Sequence, residues 1–284
     1  MNHMSSDQAI KENSKAAWGA SPAGWVFGQE YECGTKEFFE AVLQKRFSYE
    51  VPWLNEMVQF KRFTGKSVLE IGCGVGYDAY QFCKAGAYYT GIDITPQNPP
   101  LARKHLSYYG LQAQFEERDV ENISFLNEFD FVFTFGVLHH TPNIKKALGN
   151  CFNALKPGGE IQVIVYNKWS IFYCLTVVTW EWFFKGNFLK RSLADQRSLI
   201  ETINGSSRPL VNVYSKRALK KLMNEVGFGI LRTDTAKLTV EDLPQIPFIV
   251  RLYKYIPQSL LTALGRFFGW YISVRAIKPL TKEQ

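Results

Sequence analysis

A glycine-rich loop directly after a short apolar run constrains the fold of this chain more than any other feature. Residues 66–71 are typical of a strand, and Gly72-Cys-Gly-Val-Gly76 follows at once. Glycine lets the backbone turn tightly and approach a ligand, while a helix that starts after such a loop offers unpaired N–H groups. Helix formers at 78–85 complete the pattern. It predicts a strand, a ligand-binding turn and a helix.

Strands and helices are expected to alternate along most of the chain. The expected strands are 66–71, 88–94, 114–117, 129–135, 160–166, about 228–237 and 270–277, and the expected helices are 78–85, 101–109, 144–155 and 215–226. This alternation predicts right-handed βαβ units, and therefore a parallel sheet with helices on both faces. The predicted fold class is α/β, with a Rossmann-like, seven-stranded and mostly parallel sheet.

Two insertions interrupt the alternation, at 168–212 after the fifth strand and at 239–268 between the sixth and seventh strands. The first insertion contains residues 169–184, which carry a single charge. Because a membrane span needs about 20 apolar residues, this stretch predicts a buried or interfacial helix. We expect two units: an N-terminal helical lid at 1–60, and a sheet domain at 61–284 that carries both insertions.

Composition excludes several classes of protein. The chain has 284 residues, 46% of them hydrophobic, and a net charge of +7, which excludes a disordered chain. Five scattered cysteines form no CxxC pair, so neither a disulfide scaffold nor a zinc module is expected, and a reducing compartment fits. The first 13 residues lack the pattern of a secretion signal. We expect a cytoplasmic protein, or one at the inner face of a membrane.

An acidic residue ends the second predicted strand. Asp93 stands 17 residues beyond Gly76, where a carboxylate can accept both hydroxyls of a ribose. This arrangement alone fits dinucleotide enzymes and nucleoside-binding enzymes equally well. The full string Glu70-Ile-Gly-Cys-Gly-Val-Gly76 resembles the S-adenosylmethionine loop of class I methyltransferases more than the Gly-x-Gly-x-x-Gly loop of a dehydrogenase.

Four further strings match the same family in the same order. They are Gly91-Ile-Asp-Ile94, Arg118-Asp-Val120, the run from Phe129 to Pro142, and Leu155-Lys-Pro-Gly-Gly159. Over about residues 66–166 the chain thus resembles the class I S-adenosylmethionine-dependent methyltransferases, particularly the type 11 and ubiquinone–menaquinone methyltransferase-like enzymes.

The resemblance implies S-adenosyl-L-methionine as the cofactor. The implied binding residues are Glu70, Gly72, Cys73, Gly74, Gly76, Asp93, Ile94, Asp119, Val120, Phe135 and Gly136. Asp93 would hold the ribose hydroxyls, while Asp119 would accept from the adenine amino group and Val120 would donate its N–H. Phe135 and Gly136 would lie beside the methionine.

Plainer alternatives stand beside some of these assignments. Asp119 also fits a simple turn former, and Gly76 fits a simple helix start. Glu70 would support either the loop or the cofactor's ammonium. We expect Cys73 to be a small loop residue rather than a nucleophile, because the N–H groups of the loop do the work expected there.

Two histidines follow the fourth strand, where the family places groups near the reactive methyl. Methyl transfer is an in-line displacement, so the protein mainly positions the nucleophile and, where needed, removes its proton. His139 or His140 is the candidate base or substrate orienter, and Tyr166 is a candidate for the pocket wall. The alternative is that the histidines cap a helix or pack in the loop. No metal site is expected, because adjacent histidines point in different directions and no partner stands at helical spacing.

The methyl acceptor is expected to be a hydrophobic or aromatic small molecule. The residues expected to enclose an apolar cavity are Trp18, Trp25, Phe27, Tyr31, Phe38, Phe39, Trp169, Phe172, Tyr173, Trp180 and Trp182. The alternative is that these rings only seal the cofactor from water. Nucleic acid is not favoured as a partner, because the Asn98-Pro-Pro100 string follows the second strand, whereas base-amine methyltransferases carry such a string after the fourth.

Charge in the C-terminal part favours a second kind of partner, a membrane surface. From Asn167 onward the chain has 18 Lys and Arg against 8 Asp and Glu, a net charge of +10, whereas the first 166 residues carry −3. Basic and aromatic residues are mixed within 247–270, as in an interfacial helix. A peripheral enzyme that takes a quinone or lipid from a bilayer is therefore the main alternative, and RNA methylation comes third.

Overall fold

A seven-stranded sheet forms the centre of the molecule in the computed structural model, which describes residues 5–22, 24–201 and 208–280. The strands are β1 (Ser67–Ile71), β2 (Tyr88–Asp93), β3 (Gln114–Glu117), β4 (Phe129–Phe135), β5 (Leu155–Tyr166), β6 (Gly229–Ala236) and β7 (Tyr271–Ile277). Their order is β3-β2-β1-β4-β5-β7-β6. Strands β1 to β5 pair in parallel, and β7 runs antiparallel between β5 and β6. The predicted Rossmann-like, mostly parallel sheet is confirmed.

Helices surround the sheet. They are α1 (Ser6–Ala20), α2 (Lys36–Lys45), α3 (Leu54–Val58), α4 (Tyr77–Lys84), α5 (Asn98–Ser107), α6 (Ile144–Ala154), α7 (Leu193–Ser198), α8 (Lys216–Val226) and α9 (Gln258–Phe268). Both faces of the sheet are covered, because alternate residues of β4 enter different clusters. Phe131 and Phe133 pack with α4 and α5, whereas Val132 packs with α6 and α8. This alternation explains why the strand is apolar at all positions but Asp130 and Thr134.

Two element boundaries differ from the sequence expectation by three residues or more. Helix α5 begins at Asn98 rather than near residue 101, because proline needs no N–H partner in the first turn of a helix. Strand β5 begins at Leu155, five residues early, and its pairing with β4 shifts register between Phe129 and Phe131. The Lys156-Pro-Gly-Gly159 segment is therefore an irregular start of β5.

The N-terminal part consists, where it is described, of helices joined by turns, and it packs on the glycine loop. Phe38, Phe39 and Val42 of α2 are fully buried against Val75 and Tyr77. The segment Arg46–Glu50 continues α2 as a short π-helix. Positions 1–4 and 23 of the expected lid lie outside the described residues. The division into a lid and a sheet domain stays a prediction.

The insertions add helices beside the sheet. The first forms a π-helix at Phe172–Phe184, which buries Tyr173, Thr176 and Val177 and exposes Phe183 and Phe184. Its positions 202–207 lie outside the described residues. The second contains a 3-10 helix at Val250–Tyr255 and α9, which packs on β6. In the described part of the chain no helix combines the length and apolar character needed to cross a membrane.

Candidate active site

A cavity of about 490 Å³ lies at the carboxyl ends of the parallel strands. The sheet order reverses between β1 and β4, and in open α/β sheets a crevice forms at such a point. The expected cofactor residues that line it are Glu70, Gly72, Cys73, Gly74, Asp93, Ile94, Asp119, Val120, Phe135 and Gly136. Gly76 instead forms the N-terminal cap of α4. The structure thus brings together residues that are far apart in the sequence.

The backbone shapes the glycine loop. Gly72 has a φ of +74°, and a Cβ at this position would lie 2.1 Å from a methyl of Val137. Only glycine fits there without displacing the loop that follows β4. At Gly74 and Gly136 a Cβ would meet nothing within 4 Å. The walls of the cavity therefore leave open room beside both backbones.

Asp93 is held by the loop that it faces. Its carboxylate accepts the Gly74 N–H and the Thr95 N–H, each with an N···O distance of 2.8 Å. Burial raises the pKa of Asp93, while the hydrogen bonds from Thr95 and Gly74 act in the opposite direction. Each carboxylate oxygen can accept a further hydrogen bond, so the group suits a ligand with two neighbouring hydroxyls.

Cys73 and Glu70 support the loop from beneath. Cys73 is buried, and burial raises the pKa of its thiol well above the usual range. A Cβ on Gly91 would lie 2.8 Å from the Cys73 Cβ, so the glycine lets β2 approach the loop. Glu70 accepts a hydrogen bond from the Tyr89 hydroxyl, and burial followed by the charge of Asp78 raises its pKa. The thiol is therefore a packing group, and Glu70 braces the loop against β2.

Arg46 lines the cavity but was missed by the sequence reasoning. Its guanidinium lies 2.7 Å from Asp78 Oδ2, at the start of α4, and 3.5 Å from Glu50. Burial lowers the pKa of Arg46, but the charges of Asp78 and Glu50 outweigh burial and raise it. No motif surrounds Arg46 in the sequence, and the contact joins residues 32 positions apart. A permanent cation therefore stands beside the glycine loop.

Asp119 forms a turn and also pairs with the first helix. One oxygen accepts the Glu121 N–H at 2.9 Å, which caps a 3-10 turn at Val120–Asn122. Lys11 of α1 places its Nζ 2.7 Å from Asp119 Oδ2 and 2.8 Å from Glu121 Oε2. The turn-forming alternative and a ligand-facing position are thus compatible, and α1 is tied to this wall of the cavity.

The two candidate histidines occupy different positions. His140 and Tyr166 line the cavity, and Trp18 packs on His140 with ring centroids 5.5 Å apart. His139 is fully buried behind them, with its ring centroid 3.8 Å from that of Tyr166. Burial lowers the pKa of both histidines, to about 4 for His140, so both rings are neutral at physiological pH. His139 does not line the cavity, so direct contact of its ring with a methyl acceptor does not fit its position.

Tyr166 contacts Glu201, a residue that the sequence did not indicate as part of the site. Its hydroxyl donates a hydrogen bond to Glu201, from the first insertion. Burial raises the pKa of Glu201 to about 7. Other lining residues that the sequence reasoning missed are Lys237, Asp242, Trp270 and Tyr271. They come from segments whose approach to the cavity only the fold decides.

The expected aromatic enclosure is built from fewer rings than predicted. Trp18 and Phe172 line the cavity. Elsewhere, Trp25, Phe27, Phe38 and Phe39 form the packing between α2 and the glycine loop, Tyr173 is buried in the core, and Tyr31 and Trp169 are exposed. The aromatic walls come instead from the strand ends, at Phe135, Tyr166, Trp270 and Tyr271.

Comparisons with known proteins agree with this architecture. Residues 68–159 match a family model described as a methyltransferase domain. The ubiquinone biosynthesis O-methyltransferase of Haemophilus ducreyi is 31% identical over 127 residues, which cover 43% of this chain and 54% of that protein. The Coxiella burnetii protein of the same name is 29% identical over 48% of this chain and 58% of its own length. The chain thus matches little more than half the length of these relatives.

Solved structures share the fold at low sequence identity. An S-adenosylmethionine-dependent methyltransferase from Methanosarcina mazei is 20% identical, with a TM-score of 0.54 over 80% of this chain and 98% of that one. Magnesium protoporphyrin IX methyltransferase from Synechocystis, with bound S-adenosylmethionine, is 14% identical, with a TM-score of 0.55 over 98% and 99%. Residues 68–159 are thus similar to a methyltransferase domain, and the chain shares the fold of these S-adenosylmethionine-dependent methyltransferase structures.

Proposed function

We propose that this chain is an enzyme that transfers a methyl group from S-adenosyl-L-methionine to an aromatic small molecule with a polar substituent. One observation carries the proposal. A single cavity joins the glycine loop and the two acidic turns to an aromatic end that also holds charged side chains. The first part suits the nucleoside and the second suits an acceptor, so the two reactants would meet in one enclosed space.

The cofactor fits the residues that line the first part of the cavity. Asp93 would accept the ribose hydroxyls, and Asp119 with Val120 would hold the adenine, beside Ile94. The open room at Gly74 and Gly136 lets a ligand approach the backbone, and Arg46 is the cation that would meet the methionine carboxylate. When bound, the cofactor supplies an electrophilic methyl group on a sulfonium.

The acceptor end favours a flat ring. Tyr166 stacks on Trp270, with centroids 4.2 Å apart and planes 23° apart, and Phe172 packs edge-on against Trp270. Such walls suit an aromatic ligand. Glu201, Lys237 and Asp242 line the same end and would bind its polar substituent. The names of the O-methyltransferase relatives support an oxygen acceptor.

The chain's own residues would orient the acceptor and exclude water. Tyr166 and His140 line the cavity and are our candidates for contact with the acceptor. His139 would act through them as a positioning residue, since its ring lies against both: the centroid distances are 3.8 Å to Tyr166 and 4.1 Å to His140. Alignment of the nucleophile with the methyl group is the main catalytic requirement for a displacement of this kind.

The cofactor assignment is tested by removing the Asp93 carboxylate. We expect Asp93→Ala to weaken S-adenosyl-L-methionine binding by about 100-fold or more in calorimetry, because hydrogen bonds to a charged group are each worth about 1.5–3 kcal/mol. Asp234→Ala is the control, since Asp234 pairs with exposed Arg232 on β6. Retained affinity in a folded Asp93→Ala protein would refute the ribose assignment.

The reaction itself is tested by measuring the transfer of a labelled methyl group from S-adenosyl-L-methionine to a panel of phenols. We expect Tyr166→Phe to slow this transfer.

A membrane-associated form of this function is a second candidate. Several apolar side chains of the segment 247–270 are exposed to solvent: Phe248, Leu252, Tyr255, Leu260, Phe267 and Phe268. Phe248 is 81% exposed, which is high for a phenylalanine. Arg251, Lys254 and Arg266 are exposed among them. This combination suits the surface of an anionic bilayer, from which an apolar acceptor could be drawn.

A further inference from the structure

Three potential metal ligands converge behind the acceptor end of the cavity. His139, His140 and Glu201 each offer one ligand atom, and these atoms all lie within 4.8 Å of one another. Glu201 comes from the first insertion, more than 60 positions after the two histidines, so no local spacing in the sequence indicates this set of three residues. Two imidazoles and one carboxylate are the ligand set of many catalytic zinc sites and of other divalent transition-metal sites.

The imidazole nitrogens lack partners although they are buried. Among the described residues, both ring nitrogens of His139 and the Nε2 of His140 have no hydrogen-bond partner. Leaving a buried polar atom unsatisfied costs about 1–3 kcal/mol. A neutral imidazole carries one bare nitrogen, and that lone pair is what binds a metal ion. The cluster therefore offers two free nitrogen ligands in a place where packing alone leaves them unsatisfied.

The orientation of His140 also suits a ligand. Its Nδ1 lies 2.5 Å from the Leu210 carbonyl oxygen, so Nδ1 carries the proton and Nε2 is bare. A backbone carbonyl that fixes the ring in this way is usual behind metal-binding histidines. The Tyr166 hydroxyl donates to Glu201 and holds that carboxylate similarly.

We propose that His139, His140 and Glu201 form a binding site for one divalent transition-metal ion, such as Zn²⁺. With metal–nitrogen distances of about 2.0–2.1 Å in tetrahedral geometry, ligand atoms lie about 3.3 Å apart. Atoms now up to 4.8 Å apart would therefore have to approach one another by up to about 1.5 Å. Glu201 and His140 line the cavity, so the remaining coordination positions face the acceptor end. The binding of the ion is independent of the proposed methyl transfer. A further role, in which the bound ion holds an oxygen atom of the methyl acceptor, rests on the proposed methyl transfer.

Metal titration of the full chain tests the site. The protein is first stripped with a chelator, then titrated with Zn²⁺ and Co²⁺ without S-adenosyl-L-methionine, and the bound metal is measured by mass spectrometry. We expect one ion per chain. The Co²⁺ complex should show the visible bands of nitrogen and oxygen ligands, without the near-ultraviolet band of a thiolate.

Conservative variants assign the ligands. Glu201→Gln and His140→Gln should each weaken Zn²⁺ binding at least 10-fold, while His105→Gln, which changes another buried histidine, should leave it unchanged. Less than one-tenth of an ion per chain, unchanged affinity in both ligand variants, or a thiolate band would overturn the proposal. The Co²⁺ spectrum of the unmodified chain remains decisive if a variant fails to fold. Failure of metal binding leaves the Asp93 experiment unaffected, so the two hypotheses are separable.

Discussion

His105 ties three elements together at one residue. Its ring is fully buried in α5 and stacks on Phe39 of α2, with centroids 4.3 Å apart. Its Nδ1 lies 2.9 Å from the Val75 carbonyl oxygen in the glycine loop, so Nδ1 donates that hydrogen bond. The neutral ring thus connects the N-terminal helices to the loop that faces the cavity.

The charge of His105 makes stability depend on pH. Burial lowers the pKa of His105 to about 4, although the hydrogen bond to Val75 opposes this shift. An unfolded histidine titrates near 6.5, so between these values the unfolded chain binds a proton that the folded chain does not. The stabilising contribution is complete above pH 6.5 and is lost as the pH falls toward 4. From pH 7.5 to 5 the free energy of unfolding should fall by about 2 kcal/mol through this group alone.

The His105→Phe variant isolates this effect. Phenylalanine keeps a ring against Phe39 and removes the titration, so its stability should fall less on acidification. Urea unfolding at several pH values measures the difference. The pKa values of His139 and His140 are also lowered, so they contribute equally to both proteins. Parallel pH profiles for the two proteins would contradict the expectation.

At the scale of elements, α1 is attached to the sheet domain through a lysine. Lys11 bridges Asp119 and Glu121, and the Glu121 side chain is only 5% exposed. Burial lowers the pKa of Lys11, but the hydrogen bonds and charges of its two partners raise it overall. This ion pair holds α1 on the wall that we assign to adenine.

Removal of this cation should loosen α1. We expect Lys11→Met to destabilise the protein by about 1–3 kcal/mol, because it leaves a buried carboxylate without its partner. Amide hydrogens of α1 should then exchange faster. Lys15→Met is the matched control, since Lys15 pairs with a well-exposed Glu12 on the same helix, and such surface pairs contribute about 0–1 kcal/mol. Equal exchange rates in the two variants would show that Lys11 does not anchor the helix.

At the scale of the whole molecule, charge and exposed apolar surface coincide in the C-terminal part. The net charge of +10 after residue 166 includes the exposed Arg251 and Lys254. Each basic residue near an anionic bilayer contributes about 1 kcal/mol of attraction, and salt screens it. Exposed Phe248 and Phe267 can add apolar contact.

Vesicle cosedimentation tests this surface. The protein should bind vesicles of phosphatidylglycerol and phosphatidylcholine at low salt, bind less at high salt, and bind pure phosphatidylcholine weakly. Replacing both Arg251 and Lys254 by Glu should weaken binding at least 10-fold. Leu231→Ser, which changes an exposed leucine on β6, is the control. No sedimentation with anionic vesicles at low salt would rule out the membrane-associated form.

Much of the sheet was predictable because the burial of its strands shows in the residue types at neighbouring positions of the sequence. Phe129–Phe135 is covered on both faces and is therefore mostly apolar. Its predicted bounds match the structure, as do those of Gln114–Glu117. Gly72 could be identified as a loop residue because its backbone conformation excludes other residues. Asp93 could be predicted as a binding residue because it stands at the end of the predicted second strand.

The residues at the acceptor end of the cavity show no such local sequence pattern. Glu201 meets Tyr166 from 35 positions away, and Lys11 meets Asp119 from 108 positions away. No periodicity or motif in the sequence indicates either contact. The first depends on how the insertion packs over the sheet, and the second on how the first helix does. For the same reason the sequence could not show that His139 lies behind His140 and Tyr166 rather than in the cavity.

The sequence by itself determined the order of the strands along the chain, the glycine loop, the positions of Asp93 and Asp119, and the similarity to a methyltransferase domain, because each rests on residues within a few positions of one another. Only the tertiary structure decided which distant charges meet: Arg46 with Asp78, Lys11 with Asp119, and Glu201 with the two histidines. The physical reason is that local backbone geometry and burial are encoded by neighbouring residues. The composition of a cavity wall depends on the packing of segments that share no sequence pattern.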